Sequence, residues 1–571
     1  MSDDMVIEWD VPLTMKDGVE LRADVFRPTG AAVHPVLMTM GPYAKGLSFQ
    51  EGFPGNWERM TTAYPEVMEG SSNRYQNWET VDPEKWVPAG YVCIRVDSRG
   101  AGRSPGVLDV FSEQEAQDFY ECIEWAGVQP WSNGKVGLLG ISYYAINQWQ
   151  VAALQPPHLA AICPWEGAVD YYRDLARHGG ILSQFTGSWF ERQVVRVQHG
   201  QGERSLRNPV TGELVAGPDT LPEGELEARR VDAGRSLLER PMDDEYYRGR
   251  SPDLSKVVTP LLSSGNWGGA GLHLRGNVEG FTGAATSQKW LEMHGNTHFS
   301  PFYRDEGLRL QRRFFDHFLK GEDSGWSDQP PLELQIRAPG ESFEVRHESD
   351  WPLARTRWTK LYLSPKGELT DEPVTGGAKT YDPAGTGLQF RTGPLSEPME
   401  VTGPVAARLE VSSRSTDADV FLCLQVFDPD GVEVTFVGAN DPSVPVALGW
   451  LRASHRKVDE GASLPYRPFH THDEPWPLTP GEPVPLDVEI WPTSIVVPAG
   501  YELALTVRGH DYEHDIAEVA GAMYAMTGVG PFLHGDPEDR PREVFGAECA
   551  LHFEEGREPY LLLPVIPTAE G

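Results

Sequence analysis

Apolar and polar positions change rhythm twice along this chain. Over the first 165 residues, short apolar runs alternate with helical stripes. Strand-like runs fall at 20–26, 35–40, 91–96, 135–139 and 159–164. Between the third and fourth, residues 113–126 place Ala116, Phe119, Tyr120, Ile123 and Trp125 on one helical face. Strand–helix–strand order predicts a mostly parallel sheet with helices on both faces. From about 168 to 251 the segments are helical, charged and aromatic, without clear strands, as in an inserted cap. Alternation resumes with strands at 257–263 and 289–294 and a strongly periodic helix at 308–319. Lys320-Gly321-Glu322-Asp323 and Pro330-Pro331 close that region. Beyond it, short β-rich runs recur at 332–337, 360–363, 405–412, 420–428, 486–490, 503–508 and 551–553, separated by Gly, Pro and Asp turns. That pattern predicts a β-sandwich or jelly roll. The expected units are an α/β domain built from 1–167 and 252–325, a cap at 168–251, and a β domain at 326–571.

Size agrees with several units, because a single hydrophobic core stops growing near ~250–300 residues and this chain has 571. An apolar fraction of 40% and a charged fraction of 23% are ordinary for a folded protein. The 49 basic and 84 acidic residues leave a formal charge of −35. Such a field disfavours nucleic acid and anionic membranes as partners. Cys93, Cys122, Cys163, Cys423 and Cys549 are scattered and odd in number, so buried free thiols are expected rather than a disulfide framework. The first residues, Met-Ser-Asp-Asp-Met-Val-Ile-Glu, carry neither a basic segment nor an apolar run. No stretch approaches the ~18 apolar residues of a membrane span. A cytoplasmic protein is the expectation.

The densest chemical signal is Val136-Gly-Leu-Leu-Gly140-Ile-Ser142-Tyr-Tyr-Ala145. An apolar run stops at a glycine, a serine follows two positions on, and a helical segment begins. A serine at a strand-to-helix corner has its hydroxyl exposed and backbone N–H groups beside it, which suits a nucleophile for acyl transfer. The general pattern has a second glycine where Tyr144 stands, so a structural turn with an incidental serine stays open from this stretch alone. A base belongs on the loop after the last strand, where His294 closes the strand and His298 lies in the following loop. His298 is the expected base, with His294 as the alternative. An oxyanion needs donors. The N–H of Tyr143 supplies one, and the phenol of Tyr43, in Gly41-Pro42-Tyr43, is the candidate for the second.

With these residues in view, the chain resembles the CocE/NonD-type serine hydrolases, the family of bacterial cocaine esterase and α-amino-acid ester hydrolases, related to the X-Pro dipeptidyl peptidases. The resemblance covers nearly the whole length. It rests on Gly41-Pro42-Tyr43, the loop from Asp97-Ser98-Arg99-Gly100 to Ser104, Glu124-Trp125, Gln129 to Gly137, and Gly140-Ile141-Ser142-Tyr143-Tyr144-Ala145. It continues into Asp428-Pro429-Asp430-Gly431 and Val497-Pro498-Ala499-Gly500. It implies an α/β-hydrolase domain with an inserted helical cap and a C-terminal jelly-roll (galactose-binding-like) domain. It also implies cleavage of an ester or amide through an acyl-serine without a cofactor. In the family the residues matching Tyr43 and Tyr143 bind the oxyanion, and the elbow reads Gly-x-Ser-Tyr-x-Gly, with Ala145 replacing the last glycine.

One departure is chemical. The family places its triad aspartate where Gly268 stands, in Gly265-Asn266-Trp267-Gly268-Gly269. A serine–histidine pair without an acid loses tautomer control. Glu166, at the end of the strand after the nucleophile helix, is the expected substitute, and Asp170 is its rival. The acyl group is expected to rest against Trp165, Tyr171 and Trp189. Asp97 and Arg99 read as a buried structural ion pair. His470, His472 and Asp473 read as a solvated loop rather than a metal site. The expected partner is a small-molecule ester or amide, and a homodimer is compatible with the sequence. Within the same fold, an amidase or X-Pro-type peptidase, an acyltransferase and an inactive binding protein remain alternatives.

Overall fold

The computed structural model describes residues 5–515, 522–524 and 526–567. Its α/β domain is a ten-stranded sheet. The strands are β1 (Met5–Thr14), β2 (Glu20–Pro28), β3 (His34–Gly41), β4 (Val92–Asp97), β5 (Ser132–Ile141), β6 (Leu159–Trp165), β7 (Leu261–Asn266), β8 (Lys289–His294), β9 (Leu332–Ala338) and β10 (Ser342–Glu348). Their order is β1-β2-β4-β3-β5-β6-β7-β8-β9-β10. Pairings from β4 through β9 are parallel, and both edges are antiparallel. Central strands in such a sheet are covered on both faces, and every residue of β4 is buried, Arg95 and Asp97 included.

The crossover helices follow the sequence closely. Helix α1 (Glu113–Gly127) starts at Ser112, whose hydroxyl accepts from the Glu115 N–H. Helix α2 (Tyr143–Ala153) leaves the end of β5 and buries nearly all its side chains. Two more helices flank the last strands, α3 (Leu274–Gly283) and α4 (Asp305–Phe315).

Two expectations shift. The segment 332–348 was placed with the β domain, yet β9 and β10 extend the α/β sheet beyond β8. Leu332, Leu334 and Ile336 are buried on alternate positions, and a period of two identifies a strand without saying which sheet receives it. Asp97 and Arg99 do not pair. Asp97 accepts the backbone N–H groups of Lys45 (2.5 Å) and Arg103 (2.8 Å), while Arg99 pairs with Asp118 (2.7 Å) and Asp17 (2.8 Å).

Between β6 and β7 the cap is a succession of short helices with one small hairpin, Arg177–His178 against Ile181–Leu182. The C-terminal domain is an antiparallel jelly-roll-like assembly of eleven strands. Its longest pairing joins Met399–Ser413 to Val484–Val497. Its core holds Leu409, Val411, Leu424, Ile490 and Leu505, all fully buried. Buried polar contacts weld this domain to the others. Arg337 of β9 donates to the Ser494 carbonyl (2.9 Å) and Thr493 hydroxyl (2.9 Å). Arg177 of the cap meets Asp539 at 2.6 Å. Asp511 holds His534 (2.7 Å), which contacts His178 of the cap at 2.7 Å. All five cysteines are free and buried. Among the described residues no helix is long and apolar enough to cross a membrane.

Candidate active site

Ser142 sits between β5 and α2 with φ 58° and ψ −114°. A non-glycine residue in this region is strained and held only by its surroundings. Here the Ser142 N–H donates to the Trp165 carbonyl (3.1 Å) and the Ile141 N–H to the Glu79 carbonyl (3.0 Å). The turn needs Gly140, where a Cβ would come 2.5 Å from the Cβ of Tyr144. The second elbow glycine is replaced by Ala145, and room for its methyl comes from Gly167, where a Cβ would lie 3.2 Å from it.

Behind the serine lies a chain of alternating imidazoles and carboxylates. His298 Nδ1 is 2.7 Å from Glu166 Oε2, and its Nε2 is 2.9 Å from Glu79 Oε1. The other Glu166 oxygen accepts from Asn266 Nδ2 (3.2 Å) and faces His294 Nε2 at 3.2 Å. His294 Nδ1 in turn is 2.8 Å from Glu292. Burial would raise the Glu166 carboxyl, but the charges and hydrogen bonds of His298 and His294 carry it down to about 2. Burial would likewise lower His298, and Glu166 and Glu79 instead raise it to about 10. Glu79, desolvated in the pocket wall, is pushed up to about 7 despite its bond to His298.

The hydroxyl of Ser142 contacts a histidine that the sequence reading missed. His273, just before α3, places Nε2 3.3 Å from Ser142 Oγ, and its Nδ1 is 3.3 Å from the Gly167 carbonyl. Donation to that carbonyl leaves Nε2 as an acceptor. Burial, with His298 beside it, pushes His273 down to about 3, so the ring is neutral near pH 7. The rings of His273 and His298 stack with centroids 5.0 Å apart.

The structure therefore brings Ser142, His298 and Glu166 to one sheet edge, with His298 bonded to Glu166 but turned to Glu79 rather than to the serine. Asp170 is elsewhere, capping the cap's first helical turn and pairing with Arg173 at 2.9 Å. Gly268 explains the missing aspartate. A Cβ there would come 2.5 Å from Gly438 Cα, because the C-terminal domain closes onto this turn.

Tyr43 and Trp189 both line the pocket, and the Trp189 indole N–H donates to the Tyr43 hydroxyl at 2.9 Å. Burial holds the Tyr43 phenol well above its usual range, so its own proton remains available for donation. Tyr143 opens α2, where a first-turn N–H has no partner within the helix. Its hydroxyl donates to Glu115 (2.6 Å).

Two expected acyl contacts are corrected. Trp165 is the last residue of β6 and packs behind the site, stacked on His294 and against Phe302. Tyr171 is buried among Phe111, Tyr246 and Tyr247. Neither lines the pocket, whereas Phe111, Phe185 and Trp189 do. An aromatic in a cap sequence signals packing without saying which side it packs on.

Ser142, His273, His298 and Glu79 line one pocket. The C-terminal domain completes it with Asn440, Met523, Tyr524 and Met526. Glu79, in the long segment between β3 and β4, and His273, in the turn between β7 and α3, fall in no motif that marks them in the sequence. In the β domain, the solvated-loop reading is corrected for two residues. His470 and His472 are buried beside His455, and only Asp473 is exposed, paired with Lys457. Among the described residues no group of three or more His, Cys, Asp or Glu side chains is arranged to hold a metal ion.

Residues 17–300 match the X-Pro dipeptidyl-peptidase (S15 family), and residues 324–541 match the X-Pro dipeptidyl-peptidase C-terminal non-catalytic domain. A CocE/NonD family hydrolase from Staphylococcus aureus has 32% identity and a TM-score of 0.84, covering 99% of this chain and 94% of that one. Cocaine esterase from Rhodococcus sp. is 28% identical over 74% of this chain and 80% of its own length. An aminopeptidase from a Thaumarchaeota archaeon, at 16% identity and a TM-score of 0.70 over 99% of this chain and 97% of that one, shares the fold.

Proposed function

This chain belongs to the CocE/NonD family of hydrolases, and from that premise we propose that it cleaves a carboxylic ester through an acyl group carried on Ser142. It is a serine hydrolase. The observation that carries the assignment of roles is the 2.7 Å contact of Glu166 with Nδ1 of His298, a ring that lines the same pocket as Ser142.

Ser142 Oγ attacks the carbonyl carbon while its proton passes to His298 Nε2. Glu166 holds the ring from behind and stabilises the imidazolium that forms. The tetrahedral oxyanion takes hydrogen bonds from the Tyr43 hydroxyl and the Tyr143 N–H. His298 then gives its proton to the leaving oxygen. Water, deprotonated by the same ring, attacks the acyl-serine and regenerates the enzyme. For the first step the Ser142 hydroxyl has to leave His273 and His298 Nε2 has to leave Glu79. Hydrogen bonds in an empty catalytic site commonly tighten only with substrate present.

The pocket that holds Ser142 is a concave site lined by aromatic and apolar side chains with a few polar groups, the usual make-up of a small-molecule site. Its walls of Phe111, Phe185, Trp189 and Met523 favour a bulky apolar or aromatic acyl group. The buried free cysteines support a reducing, cytoplasmic setting. A fluorophosphonate probe is expected to label the wild type on Ser142 and leave Ser142→Ala unmodified. Matched ester and anilide substrates should then give ester turnover at least ten-fold the faster. Unlabelled wild-type protein would indicate an inactive binding protein, and anilide turnover matching ester turnover would indicate a peptidase.

A further inference from the structure

The mechanism above leaves the carboxylate in the pocket wall, Glu79, without a task. Glu79 has φ 59°, an uncommon conformation for a side-chain-bearing residue. It is locked there by the strand that carries the nucleophile. Its carbonyl accepts the Ile141 N–H, and its neighbour Thr80 bridges to Gly140. The side chain lines the pocket, with Oε1 2.9 Å from His298 Nε2. Its Oε2 is buried without a hydrogen-bond partner.

His298 Nε2 is the atom that has to take the serine proton. Both nitrogens of this ring face carboxylates, and an ionised carboxylate only accepts. An imidazole between two of them holds two N–H protons and has no lone pair to offer. We propose that Glu79 is a positioning residue that parks His298 in its protonated form, off the nucleophile, so that the catalytic pair assembles only when this contact is given up. The proposal rests on His298 being the base. Proton balance is simple. The Nε2 proton passes to solvent, or to Glu79 as the carboxyl turns its free oxygen into the pocket, and Nε2 is left open to Ser142.

Every charged group around this contact bears on its pH dependence. His298 meets Glu166, Glu79 and the neutral ring of His273. Beyond Glu166 stand His294 and Glu292. Glu79 also feels the phenols of Tyr43, Tyr144, Tyr303 and Tyr524. Among the described residues the ion-pair partner of Glu79 is His298. Removing the Glu79 charge therefore weakens the hold on the His298 proton, and neutral base is present at lower pH.

Glu79→Gln keeps the shape and removes the charge. With a neutral ester, the acid limb of its kcat/KM profile is expected at least one pH unit below that of the wild type. Fluorophosphonate labelling at pH 8, where Glu79 is ionised, should be at least ten-fold faster, and Glu79→Asp should keep the wild-type limb. An unmoved limb, or labelling slowed at every pH, overturns the proposal. A second measurement needs no variant. In wild-type protein with ¹⁵N-labelled histidine, His298 Nε2 should carry a proton at pH 8, and a bare nitrogen there refutes the parked state. His298→Gln separates the two readings. If that variant is labelled at the wild-type rate, His298 is not the base. If its labelling is lost while Glu79→Gln is unshifted, the base stands and the parking role falls.

Discussion

Glu166 is the carboxylate proposed above to hold His298. It is fully buried, has φ 50°, and takes contacts from His298, His294 and Asn266. Its position one residue beyond β6 follows from the alternation of a strand, which sends Trp165 to one face of the sheet and the next residue to the other. Glu166→Gln preserves volume but removes the charge that stabilises the imidazolium, and the amide must present an N–H to one histidine. Turnover should fall by about 10³–10⁴-fold, as for loss of a triad acid elsewhere, with the fold retained by circular dichroism. A variant within ten-fold of the wild-type kcat would remove Glu166 from the mechanism. The place of Glu166 beside His298 was readable from the sequence because the strand order told where the chain returns to that sheet edge. His273 and Glu79 were not readable. Neither falls in a motif, and their relation to Ser142 and His298 arises from loops converging in space.

At the scale of elements, the turn after β7 shows why one family feature is absent. Gly268 packs against the backbone at Gly438, so an aspartate has no space without separating two domains. Gly268→Asp should therefore not restore activity to Glu166→Gln. On its own it should destabilise by about 3 kcal/mol, the combined effect of overpacking and a buried charge without a partner. Thermal unfolding of both variants, with kcat of the double variant, checks this. The α/β strands and α1 were legible because burial on both faces and a helical stripe leave strong periodic signatures. The pair β9–β10 was placed in the wrong layer because its alternation is equally at home on either sheet. Trp165 and Tyr171 mark the same boundary of sequence reading, since hydrophobicity records burial and not which cavity a ring faces.

Across the whole molecule, buried ion pairs hold the cap and α/β domain to the jelly roll. Asp539 lies between Arg177 of the cap (2.6 Å) and Arg452 of its own domain (2.9 Å). Burial would raise its carboxyl, but the two guanidinium groups bring it down to about 2. A depressed carboxyl contributes stability above its unfolded value near 4 and loses it as pH falls toward about 2. Wild-type stability should thus drop across that window. Asp539→Asn should cost about 3–5 kcal/mol near pH 7, because it strands a buried guanidinium, and should flatten the acid loss. Denaturant unfolding from pH 2 to 7 tests both outcomes, and equal acid slopes for the two proteins would exclude this pair as the cause.

Met523, Tyr524 and Met526 reach the substrate cavity from a domain that supplies none of the reacting groups. One side of the pocket wall is consequently encoded far from Ser142 in the gene, while Phe111, Phe185 and Trp189 form the rest. Substitutions at Met523 or Tyr524 alter that side of the wall while Ser142, Glu166 and His298 keep their places.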